Sequence, residues 1–168
     1  MAHHTAVLAR LALVAILLTA AGCAGGQNVT PEAIAQAKST WQQAHILNYN
    51  IEWTSSGQMR GHYRVSVRGG KVTHVMSVLP DGREIEMRPG RPSSYGVDGL
   101  FQVIEEEQAQ IESDSPFGQP KGTKAVLRFT TDPKLGYPSS YRRDLRGTPQ
   151  GVSIDVIRFD PNPPDPSA

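Results

Sequence analysis

Tyr63-Arg64-Val65-Ser66-Val67-Arg68-Gly69-Gly70-Lys71-Val72-Thr73-His74-Val75-Met76 reads as two alternating runs joined by a pair of glycines. Apolar residues at every second position mark half-buried strands. A Gly-Gly connection suits a type I′ hairpin, in which both central residues need positive φ. With Arg68 opposite Lys71, Val67 faces Val72, Val65 faces His74 and Tyr63 faces Met76 on the inner side. That register assigns His74 to the apolar face and turns His62, Arg64, Ser66 and Arg68 outward.

The flanking sequence extends the pattern. Tyr49, Ile51 and Trp53 alternate with Asn50, Glu52 and Thr54, predicting a strand before the hairpin; Leu79-Pro80-Asp81-Gly82 is a turn, and Ile85 with Met87 suggests a short strand after it. Upstream, Thr30-Pro31-Glu32 has the grammar of a helix start: an N-cap hydroxyl, proline at the first helical position and an acid near the positive dipole end. Ile34, Ala37, Trp41 and Ala44 then form one apolar stripe. A second stripe, Val97, Leu100, Phe101, Ile104, Gln108 and Ile111, predicts a helix on the same side of the sheet, with Glu105-Glu106-Glu107 as a solvated face. Three more strands are expected around Ala125–Phe129, Tyr141–Leu145 and Val152–Phe159, and the apolar phase shift from Val156 to Ile157 in the last signals a bulge or a change of burial. The expected fold is α+β: a meandering antiparallel sheet of roughly five to seven strands with two helices packed on one face.

The first residues carry a different message. Met1-Ala2-His3-His4, one cation at Arg10 and an apolar run from Leu11 to Ala21 have the layout of a secretory signal, too short for a spanning helix. The organisation expected is a signal peptide at 1–22, a flexible tether at 23–30, one domain at 31–160 and a Pro-rich disordered tail at 161–168. Ala20-Ala21-Gly22-Cys23 resembles the bacterial lipobox, although Ala20 stands where leucine is common. The resemblance implies cleavage before Cys23, a diacylglyceryl group on its thiol and usually an N-acyl chain such as palmitate on its new amino terminus, and hence a lipoprotein tethered to a membrane of the cell envelope, facing the periplasm or exterior. Several acyl chains hold a protein stably where one holds it marginally.

Composition narrows the chemistry. The 17 Lys and Arg stand against 16 Asp and Glu; the leader holds Arg10 and no acid, so the chain after it is formally neutral, with no general attraction for nucleic acid. Cys23 is the only cysteine. With its thiol blocked by lipid, the domain has none for a disulfide, a thiolate metal site or cysteine nucleophilic catalysis. His45, His62 and His74 show no ligand spacing, so neither a metal nor another cofactor is expected.

Gly136-Tyr137-Pro138 with Asp144 six residues beyond the proline, and Val97-Asp98-Gly99-Leu100-Phe101, resemble an uncharacterised family of small bacterial lipoproteins. The resemblance runs from about Trp41 to Phe159 and implies the order helix, meander, helix and closing strands, without an established activity. Members often carry cysteines at the end of the first strand, where this chain has Trp53-Thr54-Ser55-Ser56, so no disulfide or cysteine role is implied.

Catalytic assemblies are sparse. Ser139 or Ser140, His62 or His74, and Asp144 could be combined into a hydrolase triad, but no Gly-x-Ser-x-Gly elbow presents the serine. Arg142, Arg143 and Arg146 form the one basic cluster; solvated arginines paired with nearby acids such as Asp144 are favoured over a patch for an anionic partner. The leading expectation is a non-catalytic domain binding an unknown envelope protein or small ligand through its sheet face or loops. A small envelope hydrolase and a structural or assembly factor are the alternatives.

Overall fold

The computed structural model describes residues 26–57, 60–111, 113 and 115–164; the leader with Cys23 and the end of the tail lie outside them. The chain runs β1 (Gln27–Asn28), α1 (Pro31–Gln43), β2 (Tyr49–Gly57), β3 (Gly61–Arg68), β4 (Lys71–Val78), β5 (Glu84–Glu86), α2 (Val97–Ile111), β6 (Ala125–Thr131), β7 (Pro138–Leu145) and β8 (Gly151–Pro161). All eight strands form one open antiparallel sheet in the order β1-β6-β7-β8-β2-β3-β4-β5. The architecture is the expected α+β, with α1 and α2 on one face. Two meanders, β2 to β5 and β6 to β8, join where the last strand pairs with β2.

Local chemistry explains the helices. The Thr30 hydroxyl accepts the Ala33 N–H at 3.2 Å and Pro31 opens α1, as its sequence demands. Ile34, Ala37 and Trp41 point from α1 into a core shared with Val97, Leu100, Phe101 and Ile104 of α2 and with Ile51, Val65, Val67, Leu127, Phe129, Tyr141 and Ile154 of the sheet. Each large side chain buried this way contributes about 1.5–3 kcal/mol. Trp41 meets Tyr49 edge-on at 5.4 Å between centroids, and Tyr137 stacks on Phe159 at 4.4 Å, knitting α1 to the strands at the end of the sheet that contains Gly136.

The hairpin departs from the simple register. Val67 faces Val72 and Arg68 faces Lys71, but the pairing then shifts, so Ser66 opposes His74, Val65 opposes Val75 and Tyr63 opposes Ser77. Thr73 is the extra residue, and its hydroxyl donates to the Ser66 carbonyl at 3.2 Å. This bulge corrects the placement of His74: it is exposed, and Val75 takes the inner position. The extra residue lets Val72 and Val75 both contact the core, where strict alternation would have buried an imidazole. In β8 the phase shift does mark a bulge: Val156 opposes Trp53 and Arg158 opposes Glu52, with Ile157 extruded and exposed between them.

Two end segments join the sheet where the sequence reads as tether and tail. Gln27 and Asn28 pair with Phe129 and Arg128, while Val29 is buried and donates its N–H to the Leu127 carbonyl at 3.1 Å. At the other end Pro161 opposes Tyr49 and the Asn162 N–H reaches the Asn48 carbonyl at 2.8 Å. Proline is tolerated there because it is the last residue of β8, beyond the stretch that pairs with β7.

Candidate functional site

The helices cover one face of the sheet and leave the other open. Alternation along β2, β3 and β8 turns Asn50, Glu52, Arg64, Ser66, Arg158 and Asp160 to that open face, where with Met76 and Glu84 they line a groove of about 310 Å³. Ion pairs order its floor. Arg64 Nε donates to Glu52 at 3.0 Å and also reaches Glu84, and a ring nitrogen of His62 lies 2.7 Å from the other Glu52 oxygen. Burial pushes the Glu52 carboxyl up, but the bonds and charges of Arg64 and His62 outweigh it and hold the group below the usual carboxylate range. Arg68 donates to the Asn50 side chain and to the Tyr49 carbonyl, both at 3.1 Å, fixing that end. Arg158 and Asp160 make no side-chain hydrogen bond or ion pair among the described residues. The groove therefore presents a rigid, engaged centre beside a cation and an anion on β8 that are available to a visitor.

A second polar cluster is hidden. Glu107, 7% exposed, sits on the inner side of α2, where it accepts the Tyr141 hydroxyl and the Arg143 guanidinium, the latter at 2.9 Å. Phe117 covers the guanidinium at 4.2 Å. Burial pushes the Glu107 carboxyl above its ordinary value despite those bonds, and burial likewise raises Tyr141. Two expectations are corrected here. Glu107 is not part of a solvated acidic face, because its place one turn after Ile104 aims it at the sheet. Arg143 is not a solvated arginine, because β7 alternates Tyr141, Arg143 and Leu145 inward. Arg142 points outward as expected, but its partner at 2.7 Å is Asp155 rather than Asp144. The arginine cluster is thus divided between the two faces of the sheet, with Arg146 exposed at the turn after β7.

The triad residues are not brought together. Ser139 and Ser140 both contact the Thr130 hydroxyl, at 2.8 and 2.7 Å; His62 contacts Glu52, and His74 contacts Thr73. Asp144 lies on β7, which β8 and β2 separate from β3. Exposed His45 closes α1 in the left-handed conformation, φ 50°. Among the described residues no group of three or more His, Cys, Asp or Glu could hold a metal ion. A shallower concavity of about 530 Å³ runs between α1 and α2, bridged by Lys38 and Glu105 at 2.7 Å.

The glycine motifs have structural work. At Gly136, φ 78°, a Cβ would lie 2.6 Å from the Ala37 carbonyl oxygen, so the turn before β7 seats directly on α1. At Gly99 it would collide with Ser93 and Ser94, which lead into α2. Asp98 accepts the Trp41 indole N–H at 3.2 Å, tying the start of α2 to α1. These residues join helices to sheet and do not line the groove.

Residues 33–147 match a family of unknown function, DUF6174, so the match takes in both glycine motifs and ends before β8. No curated protein matches the chain.

Proposed function

The chain belongs to DUF6174, and from that premise we propose that it is a lipid-anchored bacterial envelope protein whose domain binds a partner or small ligand without catalysis. The observation that carries the binding reading is the open sheet face, where a groove with a preorganised Glu52–Arg64–Glu84 network leaves Arg158 and Asp160 available. Groups held in place beforehand lose little freedom when a ligand arrives, which favours recognition. Anchoring is supported by the leader and by Ala20-Ala21-Gly22-Cys23. In this reading the membrane is engaged through acylated Cys23, with the domain in the periplasm or outside the cell.

Photocrosslinking amino acids placed at Ser66 and Met76, in the groove, are compared in living cells with one at Gln102, exposed on α2. Discrete adducts at the groove positions are expected. Adducts confined to Gln102, or reproducible turnover by the purified chain, would overturn the reading. Cys23→Ser is expected to move the protein out of the membrane fraction.

A further inference from the structure

The lipid-anchored reading leaves open which surface meets the bilayer, and β1 decides it. From Gly26 onward the chain is tied to the sheet: Gln27 and Asn28 pair with β6, Val29 is buried, and a Cβ at Gly26 would lie 3.2 Å from the Phe129 carbonyl oxygen. Only residues 23–25, Cys23 itself among them, lie between the lipid and that attachment. Three residues span at most about 11 Å fully extended. The domain is far larger, since the eleven residues of β8 alone reach about 36 Å and eight strands side by side about 34 Å. A tether this short, fixed at one corner, keeps that corner within about 11 Å of the membrane in every orientation, while the remote corner is free to stand off it.

The near corner is identified by the strand directions. Upstream of Gln27 the chain passes beside Thr130, at the end of the sheet where β6 finishes and the turn 132–137 begins. Because Tyr49 opposes both Val67 and Pro161, residues 45–48 and the Gly69–Gly70 turn lie at this same end. Leu47 is there, 60% exposed, its carbonyl accepting the Gly70 N–H at 2.8 Å; Lys71 and Lys134 are exposed at the same end. An exposed leucine between lysines suits a headgroup interface, where apolar burial and attraction to anionic lipid act together. The opposite end carries exposed Arg60, Arg83, Lys124 and Arg146, so charge does not choose between the ends; the exit point of the chain does.

We propose, resting on the lipid-anchored reading, that the end of the sheet bearing the 132–137 turn, residues 45–48 and Gly69–Gly70 is held against a lipid surface by a three-residue tether. The strands then stand on the membrane, and the groove on the open face looks along it.

With the Cys23 thiol blocked by lipid, an introduced cysteine is the one reactive thiol. Full-length chains carrying Lys134→Cys or Asp81→Cys, the latter in the turn between β4 and β5 at the remote corner, are purified in acylated form, labelled with a thiol-reactive fluorophore and reconstituted into vesicles containing nitroxide-headgroup lipid. Several-fold stronger quenching at 134 than at 81 is expected; equal or reversed quenching in vesicle-bound protein overturns the orientation while leaving the anchor intact. A Gly/Ser insertion of about 12 residues after Gly25, spanning roughly 20 Å on average, is expected to erase the contrast. A contrast that survives the insertion overturns the tether as its cause. A chain that never partitions to vesicles overturns the lipid-anchored reading and this inference with it.

Discussion

Replacing Glu107 by leucine takes the carboxylate away from the Arg143 guanidinium, which is 6% exposed, and removes the acceptor of the Tyr141 hydroxyl. Removing one partner of a buried ion pair costs about 3–5 kcal/mol because a buried charge loses its counterpart, whereas exchanging both partners for apolar side chains is often near neutral. The three variants Glu107→Leu, Arg143→Met and the double therefore form a diagnostic cycle. Each single change is expected to cost about 3–5 kcal/mol and the double change far less than their sum. The assay is equilibrium urea unfolding of a leaderless Cys23→Ser chain. The pH dependence has a defined sign. Because burial raises the Glu107 carboxyl above its unfolded value, the folded chain keeps that proton to higher pH than the unfolded chain does. Stability from this group is thus fully present below the usual carboxylate range and declines as pH rises through the raised value. The advantage of wild type over Glu107→Leu should shrink across that window. Strictly additive single changes, or a Glu107→Leu cost under about 1 kcal/mol, would refute the buried pair as the lock between α2 and β7.

Further outcomes follow from single contacts. Gly136→Ala and Gly82→Ala both force a side chain into positive φ, but only the first meets α1 at 2.6 Å; Gly82→Ala is expected to cost about 1 kcal/mol and Gly136→Ala at least twice that in urea unfolding. Tyr49→Phe leaves the buried Val97 N–H without its 3.0 Å acceptor and should cost about 1–3 kcal/mol, with equal stability marking the contact as dispensable. Glu52, held below the usual carboxylate range, contributes stability that is present above its unfolded value and lost as pH falls through the lowered one. Arg64→Ala should flatten that acid limb, and an unchanged limb would show that Arg64 does not set it.

Much of the fold is legible because it is written in local periodicity. Thr30-Pro31 and the spacing of Ile34, Ala37 and Trp41 define α1, Gly69-Gly70 defines the hairpin turn, and the phase change at Ile157 defines a bulge. The bulge at Thr73 has no such signature, since Val72 and Val75 both being apolar fits either register until the core chooses. Strand order is likewise absent from periodicity: nothing within β8 says that it pairs with β2, more than ninety residues earlier. Glu107 and Arg143 were readable in part, because each occupies an inward position of its own element; what the alternation lacks is the knowledge that the two positions meet and offset one another's burial. The groove is legible only as outward residues on separate strands. Its floor exists because β8 brings Arg158 and Asp160 beside Glu52 and Asn50.

Anchoring through the cysteine is the claim on which location, orientation and the bearing of the groove all depend. Mass spectrometry of the N-terminal peptide from chain purified out of bacterial membranes tests it directly. The expected result is Cys23 as the first residue, carrying a diacylglyceryl group on its thiol. A mature N-terminus elsewhere, or Cys23 with an unmodified thiol, contradicts it.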